Sequence, residues 1–261
     1  KMLRKKIKNI LNKKGKKPII CLTAYSKPIA EILDKYCDII LVGDSVGMVL
    51  YGMKATKEVK FETMIAHAKS VKSNSKKSLV VFDMPYKSYP NKFTAYKNAK
   101  KMMKITKCDA VKLEGGKKII NIIKYLTNRG IPVMGHIGLL PQSSKRFVLK
   151  GKNHNEKKKI LEDAKLLSDS GVFSIVIECV VENLAKKITK AVSVPTIGIG
   201  ASKHCDGQIL VTDDIVGLSN FRPRFVKQYS NIKKIIEKSV KRYCNDVKNR
   251  KFPSIKHVYK F

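Results

Sequence analysis

The feature that most limits this chain is a repeated alternation. Short apolar runs of three to five residues take turns with longer stretches of helical period, from near the N-terminus to beyond residue 210. The short runs are Ile19–Thr23, Ile39–Val42, Leu79–Phe82, Ala110–Leu113, Pro132–Gly135, Ser174–Ile177, Thr196–Ile199 and Ile209–Val211. They are continuous rather than alternating in polarity, as strands are when both faces are buried. Helical spacing of apolar positions marks Pro28–Tyr36, Phe61–Lys72, Lys92–Thr106, Lys117–Asn128, Glu156–Ser170 and Val181–Ala191. A strand–helix alternation predicts a parallel sheet with crossover helices. Eight such units in 261 residues favour a closed (β/α)8 barrel over an open doubly wound sheet. The expectation is one barrel domain over residues 1–261. It carries an amphipathic N-terminal surface helix, with Leu3, Ile7, Ile10 and Leu11 on one face, and extra helices after Gly217.

Charge narrows the partners. There are 55 Lys and Arg against 20 Asp and Glu, a net +35, and only seven of the cations are Arg. Arg suits bidentate phosphate and base contacts, whereas Lys is a hydrated point charge. The lysines are scattered over outer helix faces with no aromatic ladder among them, so no specific nucleic-acid partner is expected. No apolar run approaches the ~18 residues of a membrane span. The six cysteines form no C-x-x-C pair and no zinc-spaced cluster, and several lie inside apolar runs. Reduced thiols and a cytoplasmic location are the expectation.

The strand ends carry the chemistry. Successive apolar runs lead into Asp44, Asp83, Glu114, His136 and Glu178, and Lys112 sits inside the run AVKLEG. One acid after a strand is most often a helix N-cap. Five such residues on five barrel strands would converge on one mouth, at the end where barrel active sites lie. Four acids there repel one another unless a cation or protons intervene. Oxygen donors without Cys or a second His suit Mg2+ over zinc. A lysine within a strand is costly unless paired, which sets Lys112 apart from the surface lysines. A metal that grips both oxygens of a 2-oxo acid leaves the adjacent C–H acidic, and a carboxylate not spent on the metal can remove that proton. Gly198 and Gly200 in IGIGAS are a weak hint of a phosphate-type loop.

The motifs LTAYS (22–26), LVGDSVGM (41–48), FDMPY (82–86), VKLEGG (111–116), GHIGLLPQS (135–143), IECVVENLA (177–185), IGIGAS (197–202) and DGQILV (206–211) resemble those of the ketopantoate hydroxymethyltransferase family, in order and over nearly the whole chain. The resemblance implies a barrel of the phosphoenolpyruvate/pyruvate type, a homodecamer, and a place in pantothenate biosynthesis. It implies transfer of a hydroxymethyl group from 5,10-methylenetetrahydrofolate to 3-methyl-2-oxobutanoate through a magnesium-stabilised enolate, giving 2-dehydropantoate. Asp44 and Asp83 would bind Mg2+, with Glu114 nearby through water. Ser45 and Lys112 would hold the substrate carboxylate, His136 would line the pocket, and Glu178 would be the general base. Asp44 and Asp83 would meet the substrate as well as the metal. Three positions depart from the family pattern: Ser26 in LTAYS, Ser202 in GIGAS, and a short, glycine-poor stretch SSKRFVLKGKN (143–153). The alternative on the same fold is a Mg2+-dependent lyase of 2-hydroxy dicarboxylic acids. The Lys/Cys/Gly/His loop typical of such lyases is missing from the sequence.

Overall fold

The structure, a computed structural model, describes residues 2–144, 147–220 and 223–259. Eight parallel strands close in chain order: β1 (Ile19–Thr23), β2 (Ile39–Val42), β3 (Leu79–Asp83), β4 (Ala110–Glu114), β5 (Val133–Gly138), β6 (Ser174–Glu178), β7 (Thr196–Ile199) and β8 (Gly207–Leu210). β8 pairs with β1 and leaves no edge. Each expected strand is present. β5 runs three residues past its expected end because its ladder with β6 continues to Gly138 opposite Glu178. β8 starts two residues early, on Gly207 and Gln208, which give no apolar signal.

Around the strands lie α2 (Lys27–Leu33), α3 (Val46–Leu50), α4 (Phe61–Lys72), α5 (Lys92–Thr106), α6 (Ile120–Thr127), α7 (His154–Asp169) and α8 (Glu182–Ala191). The bounds of α4 and α5 match the expected ones. The five-residue α3 is new, since one turn is too short to show a period. Strand pleating sends successive side chains to opposite faces and so splits the core in two. Ile39, Leu41, Leu79, Val81, Ala110, Met134 and Val176 fill the barrel interior. Ile40, Val42, Val80, Val111, Val133, Ile175 and Ile177 face the helices.

The N-terminal helix α1 (Met2–Leu11) is more than a surface helix. Ile10 is buried within the interior cluster, with Leu3 and Ile7 packed against it. Lys6 Nζ donates to the Ser78 carbonyl at 2.7 Å, and beyond the helix Lys14 pairs with Asp206 at 2.8 Å. The helix stoppers the end of the barrel opposite the mouth.

Residues 1–211 form one compact unit and Thr212–Phe261 a second. The second contains α9 (Thr212–Ile215) and α10 (Ile232–Lys248), which is capped by the Asn231 side chain accepting from Lys234 N–H at 3.1 Å. Ile235, Ile236, Val240, Tyr243 and Val247 of α10 are exposed. Among the described residues, no helix is long and apolar enough to cross a membrane.

Candidate active site

Strand periodicity decides which side chains reach the mouth. Interior positions recur at every second residue, so Asp83 follows Leu79 and Val81, Lys112 and Glu114 follow Ala110, His136 follows Met134, and Glu178 follows Val176. All are buried, His136 to 1 % exposure. Register then makes neighbours. Asp83 lies opposite Lys112, and Glu114 opposite His136. Asp44 and Ser45 come from the turn after β2. Asp44 N–H points to Asp83 Oδ2 at 3.4 Å, and Ser45 Oγ lies 2.8 Å from Tyr25 Oη.

A chain of charges crosses the mouth. Lys112 Nζ donates to Asp83 Oδ1 and Oδ2 at 2.8 and 2.9 Å and stands 3.8 Å from Glu114 Oε1. His136 Nδ1 lies 3.5 Å from Glu114 Oε1, and its Nε2 lies 3.2 Å from Glu178 Oε2. These are ion-pair separations without hydrogen-bond alignment, so the ring nitrogens have charged neighbours but no aligned acceptor. Burial and Lys112 push the imidazole down. Glu114 and Glu178 outweigh them and raise its pKa to about 9. Burial likewise opposes the Lys112 ammonium, but Asp83, Glu114 and Asp44 together hold it charged. Glu114 is favoured by burial toward its neutral form, yet His136 and Lys112 bring its pKa below the ordinary carboxylate value.

Asp44 and Asp83 go the other way. Burial, and for Asp44 the adjacent Asp83, raise both. With all groups charged, the mouth holds four carboxylates against Lys112 and His136, or −4 + 2 = −2. A divalent cation would restore neutrality. Among the described residues, no three His, Cys, Asp or Glu side chains gather into a cage for an ion. Mg2+ does not need one, because it is usually held by one or two carboxylates plus substrate and water. The donor chemistry of Asp44 and Asp83 therefore fits Mg2+.

The loop after β5 lies over this set. Gly138, at φ +92°, turns the chain where a Cβ would collide with the Glu178 carbonyl, and Leu139 N–H donates to that carbonyl at 2.8 Å. Further on, the Gln142 side chain reaches Asp44 at 2.9 Å, a residue 98 positions earlier. Sequence reasoning passed over Gln142 and its partner Tyr89. Gln142 sits inside GHIGLLPQS (135–143), but a glutamine in a loop has no distinctive chemistry until its partners are seen. Ser202 has a use: its Oγ donates to Glu182 Oε1 at 3.1 Å and accepts from His204 N–H, tying the β7–β8 loop to α8. A Cβ at Gly198 would crowd the Gln208 and Cys205 side chains, so the glycine permits close packing there. Lys145 and Arg146, within the shortened stretch 143–153, lie outside the described residues.

The structure thus defines a closed (β/α)8 barrel with four acids, one lysine and one histidine at its C-terminal mouth. The chain superimposes on phosphonopyruvate hydrolase in complex with oxalate and Mg2+ with a TM-score of 0.62 at 10 % identity, covering 97 % of this chain and 93 % of that one. It also superimposes on 2,3-dimethylmalate lyase, itself a PEP mutase/isocitrate lyase superfamily member, with a TM-score of 0.58 at 14 % identity over 80 % and 79 % of the two chains. Within this fold, the chain belongs to the ketopantoate hydroxymethyltransferase family, whose sequence profile matches residues 4–255. The 3-methyl-2-oxobutanoate hydroxymethyltransferase of Pelagibacter ubique (strain HTCC1062) is 58 % identical over 257 residues, 98 % of this chain and 100 % of that protein. The Rhizobium etli protein of the same name is 52 % identical over 95 % of this chain and 92 % of its own length.

Proposed function

We propose that this chain is a 3-methyl-2-oxobutanoate hydroxymethyltransferase, with 5,10-methylenetetrahydrofolate as donor and 2-dehydropantoate as product in pantothenate biosynthesis. Family membership supports the overall reaction. The observation that carries the mechanism is the buried Asp44–Asp83 pair, whose ionised forms burial disfavours in the absence of a cation, beside the Lys112–Glu114–His136–Glu178 chain.

Asp44 and Asp83 would hold Mg2+, which when bound supplies the positive charge that acidifies the substrate C3–H. Glu114 would act through water, because its Oε2 already accepts from Gln142 N–H at 3.1 Å. Lys112 and Ser45 would bind the substrate carboxylate. Lys112 is held charged by its acids, and Ser45 is oriented by the Tyr25 hydroxyl. Glu178 would take the C3 proton, with His136 keeping the carboxylate in place from 3.2 Å. The electron pair left on C3 would form the new C–C bond to the methylene carbon as both C–N bonds from that carbon to the folate break. Water would supply the hydroxyl oxygen, and tetrahydrofolate would leave with two new N–H protons, one from water and one the proton taken by Glu178. His136 and the buried mouth walls would also keep bulk water from the reacting carbon. A cytoplasmic location and a homodecamer complete the proposal. The free cysteines support the first and the exposed apolar face of α10 the second.

The test is proton exchange. Incubated with 3-methyl-2-oxobutanoate and Mg2+ in D2O without folate, the protein should wash out the C3 proton signal in NMR. Glu178→Gln should slow this by about 10²–10⁴ while leaving Mg2+ binding intact. A folded wild-type protein that leaves the C3 signal untouched would sink the reading. Near-normal exchange in Glu178→Gln would remove Glu178 as the base.

A further inference from the structure

The uncharged Gln142 side chain makes three hydrogen bonds in the mouth, and nothing in the chemistry above uses it. It is 4 % exposed. Its Nε2 donates to Asp44 Oδ2 at 2.9 Å and to the Met84 carbonyl at 2.9 Å. Its Oε1 accepts from Tyr89 Oη at 2.6 Å, and its backbone N–H donates to Glu114 Oε2 at 3.1 Å. The loops after β2, β3 and β5 and the end of β4 thus meet on one residue.

The amide can sit only one way round. The Met84 carbonyl can only accept, as can Asp44 in its carboxylate form, so the amide N–H bonds face them. The amide oxygen must then face the Tyr89 hydroxyl, which donates. A flipped amide would set its oxygen against two acceptors in a site closed to water, at the cost of unsatisfied buried groups. Orientation at Gln142 is therefore transmitted to Asp44: the carboxylate is gripped at Oδ2, and the amide leaves Oδ1 to other partners.

We propose that Gln142 is a positioning residue for the divalent-cation site. It fixes which oxygen Asp44 presents, and Tyr89 fixes Gln142. This rests on the reading that Asp44 and Asp83 hold Mg2+. Partners behind a metal ligand typically control affinity and activity by 10–100-fold. The amide is the required chemistry. A carboxylate of the same shape would face Asp44 and a carbonyl with like charge, and an apolar side chain of similar length would leave Asp44 Oδ2 without its donor.

The experiment is Mg2+ titration of the full chain by calorimetry, with thermal melting as a fold check. Variants are Gln142→Met, Gln142→Glu and Tyr89→Phe, with Asp44→Asn as reference. Wild type should bind Mg2+ and Asp44→Asn should not. Gln142→Met and Gln142→Glu should bind about 10–100-fold more weakly. Tyr89→Phe, which leaves the amide in place but frees its oxygen, should fall between them and wild type. Turnover lost in Gln142→Met should return at saturating Mg2+, with KM for the 2-oxo acid little changed. A merely structural glutamine would lower the melting temperature without moving the Mg2+ Kd, and that result overturns the proposal. If the Gln142 variants do not fold, Tyr89→Phe decides alone, since wild-type affinity in that variant is equally fatal. A wild-type protein that binds no Mg2+ would bring down the metal reading itself, and this inference with it.

Discussion

At the scale of single residues, the mouth works by offsetting charges that none of its members could carry alone. His136 shows this most directly. Its folded pKa of about 9 stands above the ordinary value of 6.5, because Glu114 and Glu178 outweigh burial and Lys112. A raised cation contributes stability that is complete below the unfolded value and is lost as pH rises through the folded one. Metal-free wild type should therefore lose melting temperature between about pH 6.5 and 9. His136→Gln should start lower and show a flatter profile across that window. Parallel profiles for the two proteins would mean that the imidazole is neutral. The acids and the histidine were legible in the sequence because each follows an apolar run, and a parallel barrel has only one place to bring such residues. Gln142 and Tyr89 were not legible, because their use lies in a contact across 53 positions and in the one orientation an amide can take. Nothing local in a sequence encodes that.

At the scale of elements, the strands were visible as runs of apolar residues and the long helices as periods. What failed was anything shorter than a period or lacking polarity contrast, namely α3 and the Gly-Gln opening of β8. The amphipathic face of α1 was visible too, but not its target. A stripe of Leu and Ile beside lysines fits a surface helix as well as a stopper, and only closure of the barrel presents an interior floor for Ile10 to fill. Ile10 is 3 % exposed. Ile10→Ala should cost about 2–5 kcal/mol of unfolding free energy, as buried truncations of this size do. Urea unfolding followed by circular dichroism would measure it. A loss under about 0.5 kcal/mol would show that α1 rests on the barrel without supporting it, as exposed substitutions do.

At the scale of the whole molecule, lysine dominates. The chain carries +35, and nearly all its cations are the residue least suited to specific phosphate contact. Charge of one sign opposes assembly through self-repulsion, and salt screens it over about 8–10 Å. The mass measured by sedimentation should therefore rise with ionic strength between ~20 and ~300 mM salt, the range over which the screening length falls most. A mass that falls with salt would mean that ion pairs, and not apolar surface, hold the subunits together.

The buried acids sit inside this cationic shell, and the contrast bears on how visitors arrive. Seen from afar, the protein is a positive body of net charge +35, while its four mouth acids are buried. Under the proposed function, a 2-oxo acid and the glutamate tail of a folate would be drawn in from a distance, and a divalent cation would be turned away until it is nearly home. In stopped-flow experiments, added salt should slow the capture of the anions and hasten that of the metal, so one protein would show two opposite kinetic salt effects at a single doorway.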